Sequence, residues 1–261
     1  VGAISLNSGI TLWNQVLDAA DMPDIRLRQL SSLIWTPSQH LYASYANCVV
    51  ELDPESGEEI RKHTVGYHNN NTGISTPAAD PNGNVYFFDA WKDLIYCYND
   101  SLSTEGKLIP SWETKLGTDI YTPIFLDYKG RVVANDIGGS IFSINEMGQV
   151  NWRFTLRRGG RVLGILETGE IVAYDGYFQL SAYAPDTGEL LWEFELTSEL
   201  DLGDVYNWRC EILPVSKDSF LIGFNNDEGG FIRLYKYETS TNKPFGIWPL
   251  FGGSTSKQGK L

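Results

Sequence analysis

Apolar and polar residues alternate in short runs along this chain, and the runs break at Asn, Asp, Pro and Gly. That period of two, punctuated by turn residues, predicts strands joined by tight hairpins. One hairpin recurs. Leu180-Ser181-Ala182-Tyr183 leads into Ala184-Pro185-Asp186-Thr187-Gly188 and returns to Trp192. Ala3-Ile4-Ser5-Leu6 leads through Asn7-Ser8-Gly9 to Trp13, and Ile141-Phe142-Ser143-Ile144 through Asn145-Glu146-Met147-Gly148 to Trp152. In all three the tryptophan follows the glycine by four. Decayed copies run from Val50 to Gly57, with Arg61 in the tryptophan's place, from Tyr96 to Trp112 with an insertion, and from Leu234 to Trp248. Glycine supplies the positive φ of the turn, and the indole falls at one fixed place on the returning strand, where it can fill the gap between neighbouring sheets.

A second hairpin precedes each of these. Thr76-Pro77-Ala78-Ala79 turns at Asp80-Pro81-Asn82-Gly83 into Val85-Tyr86-Phe87-Phe88-Asp89. The stretches Thr122 to Val133, Val162 to Tyr174 and Ile212 to Phe224 repeat it, and Thr36-Pro37-Ser38 to Tyr45 is a shorter copy. Four strands per repeat with no amphipathic helical pattern between repeats predict an all-β fold, a β-propeller of four-stranded antiparallel blades. The one stretch open to a helical reading, Gln15 to Leu30, contains Asp, Met-Pro and Arg and reads better as a loop. Residues 1–261 are expected to form a single propeller domain. It has a partial blade at 1–18, blades at 33–65, 75–117, 121–157, 161–197 and 208–251, and a tail at 252–261. The first residues read as the second half of a repeat. The expectation is the C-terminal portion of a seven- or eight-bladed ring, closed by upstream blades or by a second chain, since open sheet edges invite aggregation.

Charge narrows the partners. With 33 acids against 20 bases, a net charge of −13 argues against nucleic acid and against an anionic membrane surface, both of which call for a basic footprint. No segment is apolar for long enough to span a membrane as a helix. Cys48, Cys97 and Cys210 are scattered through apolar stretches and read as buried, inert thiols rather than a disulfide or a metal site.

The hairpin Ala-x-x-x-Asp-Thr-Gly-x-x-x-Trp at Ala182 to Trp192 resembles the tryptophan-docking repeat of the PQQ-like, quinoprotein-type propellers, with the strongest likeness at residues 1–13, 121–157 and 161–197. The tail Trp248-Pro249-Leu250-Phe251 onward is similar to a segment at the termini of many bacterial PQQ-like repeat proteins. The resemblance implies fold more than activity, because the family holds quinone-dependent dehydrogenases alongside members without cofactor. The dehydrogenases hold PQQ against an adjacent-cysteine disulfide and a calcium or lanthanide ion, and this sequence has no adjacent cysteines. No catalytic, cofactor-binding or metal residue is carried over. A non-catalytic member, periplasmic or extracellular by analogy, is the expectation.

Candidate sites follow from the topology. An Asp ends the second strand of four repeats, at Asp89, Asp136, Asp175 and Asp227. A ring of carboxylates would suit a cation, but the following Gly-rich turns favour Asp capping its own loop. Asn225-Asn226-Asp227-Glu228-Gly229 lacks the ligand spacing of a calcium loop. His40, His63 and His68 form no metal-ligand spacing, and Arg157-Arg158-Gly159-Gly160-Arg161 reads as a solvated basic loop. Aromatic, amide and acidic groups gather in the connectors between repeats and in one turn: Tyr67, His68, Asn69, Trp91, Asp201, Asp204, Tyr206 and Trp208. These suit a binding face for protein or glycan, against the alternative that they are ordinary solvated loops. Trp13, Trp152, Trp192 and Trp248 are expected to dock blade on blade. Three functions are weighed: a non-enzymatic binding scaffold, a portion of a PQQ- and Ca2+-dependent dehydrogenase, and a structural repeat of a surface assembly.

Overall fold

A computed structural model describes residues 1–17, 30–45, 48–64, 77–89, 92–99, 106–117, 124–136, 138–156, 160–165, 169–175 and 179–195, together with the backbone of strands between residues 209 and 236. The described residues contain strands and turns and no helix. The chain divides into two compact units, one containing Val1–Ile124 and the other Phe125–Trp248.

The first unit opens with a two-stranded sheet, β1 (Gly2–Ile4) and β2 (Thr11–Asn14). The next sheet is built from β3 (Leu30–Trp35), β4 (Leu41–Tyr45), β5 (Cys48–Leu52) and β6 (Glu59–Thr64), each antiparallel to the one before. β7 (Ala78–Ala79), β8 (Val85–Asp89) and β9 (Leu94–Tyr98) begin a third sheet, which β11 (Pro110–Lys115) completes. Between them β10 (Gly106–Lys107) leaves its own sheet and pairs in parallel with β6 of the preceding one. Gly106 and Lys107 thus carry part of the insertion in the Tyr96-to-Trp112 hairpin onto the neighbouring sheet. They add a fifth strand to the neighbouring blade.

The second unit holds β12 (Phe125–Leu126), β13 (Val132–Asn135), β14 (Ser140–Ile144) and β15 (Val150–Thr155) in one antiparallel sheet. β16 (Arg161–Ile165), β17 (Ile171–Tyr174), β18 (Gln179–Tyr183) and β19 (Leu190–Glu195) form the next. β20 (Arg209–Ser216), β21 (Ser219–Asn226) and β22 (Gly229–Lys236) are three strands of the last, whose expected closing hairpin to Trp248 lies outside the described residues.

Middle strands are buried on both faces, as β5, β8 and β14 show over their whole length, while the outer strands β11 and β15 alternate. That is the pattern of sheets stacked on both sides of one another. In the first unit Ile34, Tyr42 and Val49 of the second sheet share a cluster with Val85, Phe87, Tyr96 and Tyr98 of the third. In the second unit Phe125, Val133 and Ile141 share one with Val162, Ile171 and Ala173. The blades thus pack face to face through apolar residues.

Candidate functional site

The β7–β8 and β12–β13 turns, which join first to second strands, share one design. Asp80 accepts the backbone N–H groups of Asn82 and Asn84 on Oδ1, at 2.9 Å each, and the Asn84 amide and Tyr86 hydroxyl on Oδ2. Asp127 accepts those of Lys129 and Arg131 on Oδ1, again at 2.9 Å, and Arg131 Nε on Oδ2 at 2.5 Å. A short side chain that satisfies the turn's amides fixes register at low entropic cost.

The carboxylates that end the second strands behave alike. Asp136 is buried and accepts the Ser140 N–H on Oδ1 at 2.7 Å, with Arg153 3.7 Å from its other oxygen. Asp175 accepts the Gln179 N–H at 3.3 Å, and Asp89 that of Lys92 at 3.2 Å. These three acids cap their own turns, as the sequence favoured, and Asp227 lies outside the described residues. Among the described residues no group of three His, Cys, Asp or Glu side chains is placed to hold a metal ion.

Two of the four predicted docking tryptophans have matching surroundings. Trp13 donates its indole N–H to the Pro54 carbonyl at 2.9 Å, and Trp152 donates to the Pro185 carbonyl at 3.0 Å. Each ring lies against the turn glycine of the following hairpin, Gly57 or Gly188. Trp192 occupies the equivalent place on β19 and is half-buried, and Trp248 lies outside the described residues. Around Pro185 the contact is reinforced by charge. Asp186 accepts hydrogen bonds from Lys129 at 2.9 Å and Arg131 at 2.5 Å, which hold its carboxyl below the usual range.

Arg61, standing where other repeats have tryptophan, is paired with the buried carboxylate of Glu51. His40 Nδ1 meets the other oxygen of Glu51 at 2.6 Å. Two residues further along β6, His63 faces the third sheet, its Nδ1 bonded to the Tyr98 hydroxyl and its ring edge-on to Tyr96 and Tyr98 at 5.3 and 5.6 Å. Burial, with Lys92 and Lys107 nearby, lowers the pKa of His63 below its ordinary value. Sequence reasoning missed both clusters. Their members are brought together by strand pairing and sheet stacking, and neither has a local motif.

Cys48 and Cys97 are single, buried thiols, and burial pushes Cys97 up to about 12. Neither fits the vicinal disulfide that a quinone-binding relative would use. The side chain of Cys210 is not among those described. The binding-face residues Tyr67, His68, Asn69, Trp91, Asp201, Asp204, Tyr206 and Trp208 all lie outside the described residues, as do Arg157, Arg158 and Gly159.

Comparison with known proteins agrees with this geometry. A PQQ-repeat family model described as outer membrane protein assembly factor BamB matches residues 138–240. Virginiamycin B lyase from Staphylococcus aureus is similar in structure, with a TM-score of 0.59 at 15% identity over 91% of this chain and 77% of that one. BamB from Moraxella catarrhalis gives a TM-score of 0.59 at 16% identity over 90% and 70%. A protein of unknown function from Bacteroides caccae gives 0.51 at 15% identity over 84% and 76%. A search of curated proteins finds no match. The fold is a β-propeller built mainly of four-stranded antiparallel sheets, and residues 138–240 match a PQQ-like repeat. Among the described residues no helix is long and apolar enough to cross a membrane.

Proposed function

We propose that this chain is a non-enzymatic scaffold that binds a protein partner through the loops at the ends of its blades, and that it works in the periplasm or outside the cell. The observation that carries this reading is the use made of the acids at those ends. Asp89, Asp136 and Asp175 each accept a backbone N–H of their own turn, so these carboxylates hold loops in shape. Rigid blade ends carrying variable connectors suit recognition. The family match supports a protein partner, since the matching model describes an assembly factor. The lyase neighbour is an enzyme on the same fold, and at 15% identity it speaks for the fold alone.

The test uses the whole chain as bait in chemical crosslinking against an envelope extract. It is run beside two loop variants that replace Tyr67, His68, Asn69 and Trp91, or Asp201, Asp204, Tyr206 and Trp208, by serine. A discrete protein captured by the parent and lost from one variant, with melting temperature unchanged, is the expected result. Capture of glycan on an array instead would move the partner class. Quinone absorbance and dye reduction on adding PQQ and Ca2+ would overturn the scaffold reading in favour of a dehydrogenase. Concentration-dependent growth in light scattering would favour a structural repeat of a surface assembly.

A further inference from the structure

The outer edge of β6 is closed by a very short strand. β10 pairs Gly106 with Arg61 and Lys107 with Lys62, and the Leu108 N–H continues the ladder to the Lys62 carbonyl at 3.0 Å. Two ladder positions hold a strand weakly, and the anchor is Leu108, which is 1% exposed in the cluster with Tyr42, Val49, Tyr96 and Tyr98. The next residue on β6 is His63, which packs against two of the same tyrosines.

We propose that β10 is an acid-released strap: it covers the edge of β6 while His63 is neutral, and protonation of His63 drives it off through Lys107. The hydrogen bond sets the starting state. Burial holds the Tyr98 phenol protonated far above its ordinary range, and a neutral His63 imidazole with Nδ1 unprotonated accepts its O–H. A proton on Nδ1 removes that acceptor and forces the Tyr98 hydroxyl to turn and accept instead. It also places a third positive charge beside Lys92, which follows β8, and Lys107, which lies on β10 itself.

Among the described residues, the charges felt most at His63 are those of Lys92 and Lys107. β9 presents Tyr96 and Tyr98, both raised mainly by burial, with Asp89 and Glu113 adding to it. β5 places Val49 opposite His63, and Glu51 is committed to His40 and Arg61. On β6 itself, Lys62 lies 3.9 Å from Glu59. With the strap down, the imidazole is a weaker base than in the open state. The strap is therefore fully stable above the ordinary histidine value of 6.5 and loosens as pH falls through it toward the lowered value. Release would leave the N–H and C=O groups of β6 unpaired at an edge, in the state that natural sheets keep covered.

Amide hydrogen exchange on the whole chain at pH 7.5 and 5.5, corrected for the intrinsic rate, reads the strap directly at Leu108. The expected result is strong protection at pH 7.5 that falls by about threefold or more at pH 5.5. The β14 amides should stay unchanged. His63→Gln, which keeps a polar side chain but does not titrate, should make Leu108 protection independent of pH. Lys107→Gln on the exposed β10 should shrink the response without disturbing the core. Equal protection of parent protein at both pH values, an undiminished response in either variant, or a loss shared equally by β14 would each overturn the strap.

Discussion

Trp13 rests on Gly57 so closely that a β-carbon built on the glycine would fall inside 3.0 Å of the indole. The same glycine has φ +77°, a left-handed conformation that side chains resist. Two requirements therefore meet in one residue, the turn of its own hairpin and the docking of the preceding blade. The comparison with Gly9 separates them. Gly9 has φ +68° and nothing within 4 Å of its would-be β-carbon. Gly9→Ala is expected to cost about 1 kcal/mol, from backbone strain alone. Gly57→Ala should cost about 2–4 kcal/mol, because overpacking against Trp13 is added. Urea denaturation of both variants checks this. In the double variant with Trp13→Ala, the excess at Gly57 should vanish; additive losses would refute the contact.

Gln39 marks the opposite case, a turn whose sequence has drifted from its geometry. Its φ of +66° falls in the same left-handed region as Gly83, Gly130 and Gly169 at +86°, +75° and +88°. Its N–H closes the same turn on the Thr36 carbonyl, as Gly83 does on Asp80 and Gly130 on Asp127. Because Gln39 is exposed, replacement loses little packing. Gln39→Gly should stabilise the protein by about 0.5–1 kcal/mol, the relief of left-handed strain outweighing the entropy of glycine. An unchanged or lower denaturation midpoint would count against it.

Cys97 should be chemically silent in the folded protein. Burial, then the nearby charge of Asp80, pushes its thiol up to about 12, and only the thiolate is nucleophilic. At pH 8 about one part in ten thousand is ionised, before access is considered. Iodoacetamide followed by peptide mass spectrometry should leave Cys97 unmodified until denaturant unfolds the chain. Alkylation under native conditions at the rate of a free cysteine would mean that the Cys97 thiol is accessible in the folded protein, against its burial here.

The tryptophan hairpins were legible because each requires a local pattern, an alternating strand, a glycine turn and an indole at a fixed offset, and Trp13 and Trp152 land where that pattern puts them. β10 was not legible. Gly106-Lys107 is too short to carry a period, and its pairing with Arg61 and Lys62 depends on which sheet happens to be adjacent. The His63–Tyr98 contact spans 35 residues and comes from stacking two blades, which no spacing rule encodes. The turn role of Asp136 and Asp175 could be read because an Asp before a Gly-rich turn makes its hydrogen bonds to its own backbone.

Arg61 shows why the pattern of a repeat is not always the best residue for one of its copies. By analogy with Trp13 and Trp152, Arg61→Trp restores the repeat, and a reader of the sequence alone would expect it to stabilise the chain. The structure argues the reverse. Arg61 is bonded to Glu51, whose side chain is 2% exposed, and the backbone of residue 61 pairs with β10. Arg61→Trp removes the main countercharge of a buried carboxylate and leaves His40 beside it. Such a loss costs about 3 kcal/mol or more. Adding Glu51→Gln, which deletes the charge, should recover much of that loss. Equal stability of the single and double variants in urea denaturation would mean that the buried charge is not what fixes the arginine in place.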